Sequence, residues 1–244
     1  MEGHSPLEQF TIHSVVNIPI GGIRADITNS SIFMMIAVVL ATLFLTLSMR
    51  GGALVPTRWQ SMAELSYEFI AKMLKENVGD GGRRYFPFVF TLFMFILFCN
   101  LLGMVPFSFT VTSHIAVTFA LAFVVFLGVT VIGFVRHGAH FLKLFVPSGV
   151  PVFLLPLMVV IEVLSYLTRP ISLSVRLFAN MMAGHTMLKV FGGFVVALGI
   201  LGGWAPLAFI IALTGLEFGI AILQAYVFTI LTCIYLNDAV NMHH

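Results

Sequence analysis

Ionisable residues interrupt the two longest apolar segments of this sequence, both near its carboxyl terminus. The segments cover about 157–198 and 207–237. Their ionisable residues are Glu162, Arg169, Arg176, His185, Lys189 and Glu217, and Asp238 directly follows the second segment. A charge at the centre of a bilayer costs about 2.5–3.5 kcal/mol on insertion scales, so each side chain needs a partner or a water-filled cavity. Such a set indicates ion movement within a membrane. Because no phosphate-binding glycine loop, HExxH pair or GxSxG elbow occurs, the sequence predicts no catalytic site and no cofactor.

The polar residues of the two segments face one another if the chain folds back between them. A turn is predicted at the glycine-rich stretch from Gly199 to Gly203, which is followed by Pro206. In an antiparallel hairpin, residues at the same level have numbers with a nearly constant sum. This rule gives three pairs, which are Arg176 with Gln224, Glu162 with Asp238, and His185 with Glu217.

Helical angles place most of these residues on one stripe of each helix. At about 100° per residue, the residues within about 40° of Arg176 are Glu162, Ser165, Arg169, Ser172 and Asn180. Those within about 40° of Gln224 are Glu217, Tyr235 and Asp238. His185 lies on the opposite side of an ideal helix from Arg176. Either Gly184 distorts the helix there, or His185 opens onto a different cavity.

Arg176 separates two titratable clusters along the first helix. Glu162 lies about 21 Å away along the axis and His185 about 13 Å away on the other side, so the clusters cannot exchange a proton directly. Arginine cannot carry the proton either, because its pKa stays above about 12. The pattern predicts two water-filled half-paths from opposite faces, linked by a mobile carboxylate of another subunit. Arg176 would hold that carboxylate ionised, since an opposite charge within about 4–6 Å lowers a carboxyl pKa by about 1–3 units.

The remaining sequence predicts the other membrane helices. Of the 244 residues, 59% are hydrophobic and 9% are charged, which excludes a soluble, disordered or fibrous protein. Uncharged stretches predict one span at 29–49 and two spans within 85–135. The two long segments exceed a bilayer core of about 30 Å, so they must tilt strongly, bend, or lie partly in the membrane plane. The predicted class is an all-α polytopic membrane protein that ends in a long, strongly tilted helical hairpin.

The segment 50–84 is charged and differs from its neighbours. Apolar residues recur in it at helical spacing, which predicts an amphipathic helix at about 57–78 on the membrane surface; they are Met62, Leu65, Phe69, Met73 and Leu74. The glycine-containing run that starts at Gly79 is expected to end this helix. Lys and Arg are most frequent in this segment, so the positive-inside rule places it and the carboxyl terminus in the cytoplasm and the amino terminus outside. The predicted organisation is an external tail at 1–28, transmembrane helices with the amphipathic helix at 29–150, and the hairpin with the half-paths at 151–244.

Metal and nucleic-acid sites are not predicted. Cys99 and Cys233 each lie in an apolar run, and His137 and His140 lack further ligands nearby. No basic patch with interleaved aromatic residues indicates a nucleic-acid surface.

Three segments resemble subunit a of the F-type ATP synthases, the proton-conducting stator of their membrane sector. They are SVRLFANMMAGH at 174–185, LEFGIAILQAYVFTILTCIYLND at 216–238 and FPFVFTLFMFILFCNLLGMVPF at 86–107. The resemblance extends over nearly the whole chain. Some bacterial members have glutamate at the position of His185 and histidine at that of Glu217, whereas mitochondrial and alphaproteobacterial relatives have the order found here.

The resemblance implies a role for each matching residue. Arg176 corresponds to the essential arginine, with Asn180 and Gln224 as its polar neighbours. Glu162 would lie on the cytoplasmic-side half-channel, and His185 and Glu217 on the opposite side. The assignment of Tyr235 and Asp238 to the cytoplasmic mouth rests on the topology. The order of proton transfer between His185 and Glu217 stays open.

The resemblance also implies partners and a location. The partners would be a ring of c subunits, the peripheral-stalk b subunits, the rest of the ATP synthase and the lipid bilayer, with protons as the transported ion and no catalytic site in this chain. The location would be a bacterial plasma (inner) membrane or, alternatively, a mitochondrial inner membrane. From the residues alone, a proton-coupled secondary transporter and a structural membrane subunit stay open. Arg169 could be functional or could form a packing ion pair with Glu162.

Overall fold

The computed structural model describes residues 14–16, 19–20, 23–24, 26–50, 56–105, 108–146 and 153–241. Six α-helices account for most of these described residues: α1 Asn29–Met49, α2 Arg58–Val78, α3 Phe86–Gly103, α4 Ile115–His137, α5 Leu155–Gly202 and α6 Trp204–Val240. Short 3₁₀ segments, Asp80–Tyr85, Val111–Ser113 and Gly138–Phe145, adjoin or separate these helices. Among the described residues, every α-helix except α2 belongs to a segment that is long and apolar enough to cross a membrane. The predicted class of an all-α polytopic membrane protein is confirmed.

In the part of the amino-terminal segment that the structure describes, four very short strands precede α1. Strand β1, Ser14–Val16, pairs antiparallel with β4, Ile27–Thr28, and β2, Pro19–Ile20, pairs antiparallel with β3, Ile23–Arg24. The sequence analysis did not predict these strands. They lie in the amino-terminal tail and leave the helical class unchanged.

Helix α2 has the predicted extent. Thr57 caps its first turn by accepting a hydrogen bond from the backbone N–H of Gln60 at 3.4 Å. Gly79 ends it at φ 75°, a left-handed conformation that glycine adopts without strain. The predicted apolar stripe is divided, because Met73 and Leu74 are buried in the protein whereas the more amino-terminal residues of the stripe, Met62, Leu65 and Phe69, are exposed.

The turn between α5 and α6 lies where the glycines predicted it. Within α5, Gly199 alone has non-helical angles, with φ 59° and ψ −158°. Gly203 donates a hydrogen bond to the Gly199 carbonyl at 2.8 Å, and a Cβ atom at Gly203 would lie 2.6 Å from that oxygen. Helix α6 then begins at Trp204, with Pro206 in its first turn, where a missing N–H costs little. Up to Gly199, α5 has 45 residues, which correspond to about 68 Å of helix, and the 37 residues of α6 correspond to about 55 Å.

Two sets of segments form separate compact units. Unit 1 consists of Met1–Gly52, Met94–Ile115 and Leu177–Tyr226, and unit 2 of Ala53–Phe93, Ala116–Arg176 and Val227–His244. Helices α3, α5 and α6 therefore contribute residues to both units. In unit 2, hydroxyl contacts join α4 to α5, since Thr130 lies 2.7 Å from the Tyr166 hydroxyl and Thr118 lies 3.1 Å from that of Ser174.

Candidate functional site

His185 and Glu217 form the central contact of a polar cluster in unit 1. The Nδ1 atom of His185 on α5 lies 3.8 Å from Oε2 of Glu217 on α6. Their side chains are 13% and 8% exposed. At this distance a small side-chain rotation lets the two atoms share a proton. The predicted pairing of His185 with Glu217 across the hairpin is confirmed.

Gly184 gives the Glu217 carboxylate its space. A Cβ atom at Gly184 would lie 2.5 Å from Oε1 of Glu217, which is closer than real Cβ contacts. The backbone of α5 is helical at Gly184, because the non-helical angles recorded inside this helix are those of Gly199. Of the two explanations considered for His185, a helix distortion at Gly184 is therefore wrong.

Amide side chains continue this cluster along one face of α6. Asn180 Nδ2 donates a hydrogen bond to Gln224 Oε1 at 2.8 Å. Asn100 on α3 is fully buried and donates to the Ala221 carbonyl at 3.0 Å. Because Glu217, Ala221 and Gln224 are four and three residues apart, they share one face of their helix.

Several buried polar atoms of this face make no hydrogen bond within the described chain. They are Oδ1 of Asn100, Nε2 of Gln224 and both carboxylate oxygens of Glu217. Buried polar groups are usually satisfied by protein or by ordered water. This face of unit 1 is therefore a polar strip inside an otherwise apolar set of helices. Its buried polar atoms are suited to hydrogen bonds with bridging water molecules.

Asn100 is a member of the cluster that the sequence analysis missed. It lies in the run from Tyr85 to Val135, which contains no Asp, Glu, Lys or Arg that would indicate a functional position. An amide side chain inside a membrane helix is costly in free energy unless it has a hydrogen-bonding partner, and this cost is the signal by which the sequence could have identified Asn100.

Unit 2 contains a second cluster, centred on Arg169. Its Nη1 atom donates to Oδ2 of Asp238 at 2.8 Å, and the two side chains are 22% and 31% exposed. The guanidinium carbon also lies over two aromatic rings, 5.2 Å from the centre of Tyr166 and 4.9 Å from that of Tyr235. The Tyr166 hydroxyl is in turn hydrogen-bonded to Thr130. Arg169 is thus held on three sides.

One pairing suggested by the sequence needs correction. Asp238 is bonded to Arg169, so the suggested Arg169–Glu162 ion pair is wrong, whereas the common level of Glu162 and Asp238 stays a prediction. Arg169 lies seven residues, or about two helical turns, from the level that the numbering rule assigns to Asp238, so the rule does not identify this partner. Gln224, expected opposite Arg176, uses its carbonyl oxygen for Asn180.

Arg176 and Glu162 are placed differently from the paired residues. Arg176 is exposed on α5, and Glu162 is half-buried on the same helix. Within the part of the chain that the structure describes, neither side chain makes a hydrogen bond or an ion pair. Arg176 is therefore a permanent cation on the surface of a long apolar helix, where a carboxylate from outside the chain can approach it.

Known proteins resemble this chain over nearly its whole length. Residues 31–237 match the family described as ATP synthase A chain. The chain is 58% identical over 241 residues to "ATP synthase subunit a" of Pelagibacter ubique, which covers 98% of this chain and 99% of the relative. It is 60% identical over 245 residues to the protein of the same name from Paramagnetospirillum magneticum, with 98% and 99% covered. The Rhodospirillum rubrum protein of that name is 56% identical over 240 residues, with 98% and 100% covered.

Proposed function

Because the chain belongs to the ATP synthase subunit a family, we propose that it forms two offset proton half-channels beside a rotating ring of small subunits. One half-channel contains His185, Glu217, Asn180 and Gln224. The other contains Glu162, with Tyr235 and Asp238 at its mouth. Arg176 prevents a proton short-circuit between them.

The observation that carries this proposal is the exposed guanidinium of Arg176 on α5. Along the sequence of that helix, Arg176 stands between the residues of the Arg169 cluster and those of the His185 cluster. A permanent cation repels a proton or hydronium ion, and it lacks a neutral form that could relay one. It also attracts a carboxylate that comes within about 4–6 Å and favours the ionised form of that group.

The mechanism follows from these charges. A proton reaches the buried pair of His185 and Glu217 from one aqueous face and is transferred to a ring carboxylate. Neutralised, this carboxylate can leave Arg176 and turn through lipid, because a protonated acid costs far less to bury than a carboxylate. On the far side it releases the proton towards Glu162, returns to the ionised form and is attracted to Arg176 again. Rotation of the ring is therefore coupled to proton flow.

The assembly and orientation belong to the same proposal. The partners are the c-subunit ring, the peripheral-stalk b subunits and the rest of the F-type ATP synthase. The basic residues between 50 and 84 support a cytoplasmic position for α2, with the amino terminus outside and the carboxyl terminus in the cytoplasm. The membrane is a bacterial plasma membrane, which agrees with the bacterial relatives.

Replacement of Arg176 by alanine tests the proposal. ATP-driven proton pumping into inverted membrane vesicles is measured by the quenching of a pH-sensitive acridine dye, and assembly is followed by native gel electrophoresis. We expect the Arg176→Ala complex to assemble and to lose coupled pumping. Lys189→Ala is the matched control, since Lys189 is another exposed cation on α5, and it should pump normally. Normal coupled pumping by Arg176→Ala, or proton transport by the purified chain without a ring, would contradict the proposal.

A further inference from the structure

The carbonyl oxygen of Gly103 accepts hydrogen bonds from two side chains. His185 Nε2 lies 2.8 Å from it, and the Thr110 hydroxyl lies 3.3 Å from it. Gly103 is the last residue of α3, and carbonyl groups in the last turn of a helix generally lack the backbone partner that interior carbonyls have. The two side chains are partners for such a carbonyl.

This contact fixes the tautomer of His185. A carbonyl oxygen can only accept a hydrogen bond, so the hydrogen must be on Nε2. In the neutral ring, Nδ1 then carries the lone pair, and Nδ1 is the atom that faces Oε2 of Glu217. Nδ1 is therefore the one ring nitrogen at which His185 can gain or lose a proton without breaking its bond to Gly103.

An imidazole relays a proton onward only if it takes the proton up on one nitrogen and releases it from the other. Release from Nε2 is blocked here, because the group bonded to it is a backbone carbonyl that does not take up a proton. We infer that His185 is a side branch of the half-channel, sharing a proton with Glu217 through Nδ1, and that Glu217 alone passes protons towards the ring. His185 is then a positioning residue for Glu217. This inference rests on the proposed function.

Two glycines hold this geometry in place. A Cβ atom at Gly103 would lie 2.7 Å from the Thr110 methyl group, so a larger residue would displace the segment that supports the carbonyl. Gly184 lets the Glu217 carboxylate lie directly against the backbone of α5, beside the ring of His185. Glu217 on α6 is the ionisable group recorded beside this ring, α3 presents the Gly103 carbonyl, and Lys189, one turn further along α5, is exposed.

Substitutions at His185 distinguish between two roles of this residue, a side branch that only shares a proton with Glu217 and a relay that passes protons onward. In His185→Gln, the terminal amide can occupy the place of Nε2 and still donate to Gly103, although it cannot carry a proton. We expect this variant to keep coupled pumping within about threefold of the wild type, with a changed pH profile, since the imidazole beside Glu217 is lost. His185→Ala, which loses the bond as well, should pump about tenfold more slowly. Glu217→Gln should lose at least as much.

The outcomes distinguish the inference from the proposed function. If His185→Gln pumps as poorly as Glu217→Gln while assembling normally, the ring is a relay and the inference is overturned. If Glu217→Gln pumps normally, this cluster is not a half-channel and the proposed function itself fails.

A spectroscopic measurement on the wild type does not depend on any variant's activity. Solid-state ¹⁵N NMR of the assembled, histidine-labelled complex, with His185→Gln as the difference standard, reports the tautomer directly. At a pH where the ring is neutral, we expect hydrogen on Nε2 and none on Nδ1. A neutral ring with hydrogen on Nδ1 would overturn the inference.

Discussion

The pair of Arg169 and Asp238 allows a quantitative prediction. The 2.8 Å bond between Nη1 and Oδ2 is charge-assisted, and such bonds contribute about 1.5–3 kcal/mol. The two rings beside the guanidinium add about 0.5–1 kcal/mol each. With exposed fractions of 22% and 31%, the pair is only partly screened by solvent. We therefore expect Asp238→Asn, which keeps the ring contacts, to lower the free energy of unfolding by about 1.5–3 kcal/mol, and Arg169→Gln, which loses them as well, by about 2.5–5 kcal/mol.

The double variant distinguishes a fixed ion pair from a proton carrier. Because Asp238 is bonded to Arg169 at 2.8 Å, we expect the two residues to act as one fixed ion pair and Asp238 not to carry protons. Replacing both residues removes the charges together and leaves neither one unpaired, so a coupling energy of about 1–3 kcal/mol should be recovered relative to the sum of the single variants. Coupled pumping should recover along with stability.

Two assays test this prediction. Equilibrium unfolding of the purified chain in mixed micelles, with a rising fraction of denaturing detergent, gives the three free-energy changes. Dye quenching in inverted vesicles gives the pumping rates of the assembled complexes. A double variant that recovers stability but pumps no better than Asp238→Asn would refute the reasoning and make Asp238 a proton carrier. A coupling energy near zero would show that the pair is not an electrostatic unit.

Two further predictions concern the half-channels. Glu162→Gln and Glu217→Gln should each slow ATP-driven pumping without making the membrane permeable to protons, since Arg176 remains in place. Passive proton conductance is measured as the decay of an imposed pH gradient. Free conductance in either variant would assign the barrier to another residue. Gly184→Ala should slow pumping because the new methyl group would displace the Glu217 carboxylate. Gly192→Ala is the control and should not slow pumping, because the space around its Cβ position is open. Equal rates for the two variants would count against the role of Gly184.

The helix positions and the pairing of His185 with Glu217 could be predicted from the sequence. Charge-free stretches and glycines determine where membrane helices begin and end, and the turn at Gly199 sets the level at which His185 meets Glu217. Both of these side chains are short compared with arginine, so residue numbers locate them well.

The partner of Arg169 could not be found in this way. Its side chain reaches past its own level to Asp238, and aromatic rings hold it there. The contacts of Asn100 and Gly103 depend on how α3 packs against α5 and α6, and α3 has no hydrophobic periodicity from which a face could be chosen. Tertiary packing thus decides the details that local patterns leave open.

Whether Arg176 separates two half-channels can be seen in a structure of the assembled complex in a lipid membrane, at a resolution that shows ordered water. We expect a ring carboxylate within about 4–6 Å of the Arg176 guanidinium, and water that enters from each face and stops before reaching it. A continuous column of water past Arg176, or a ring without an acidic residue at that level, would contradict the account.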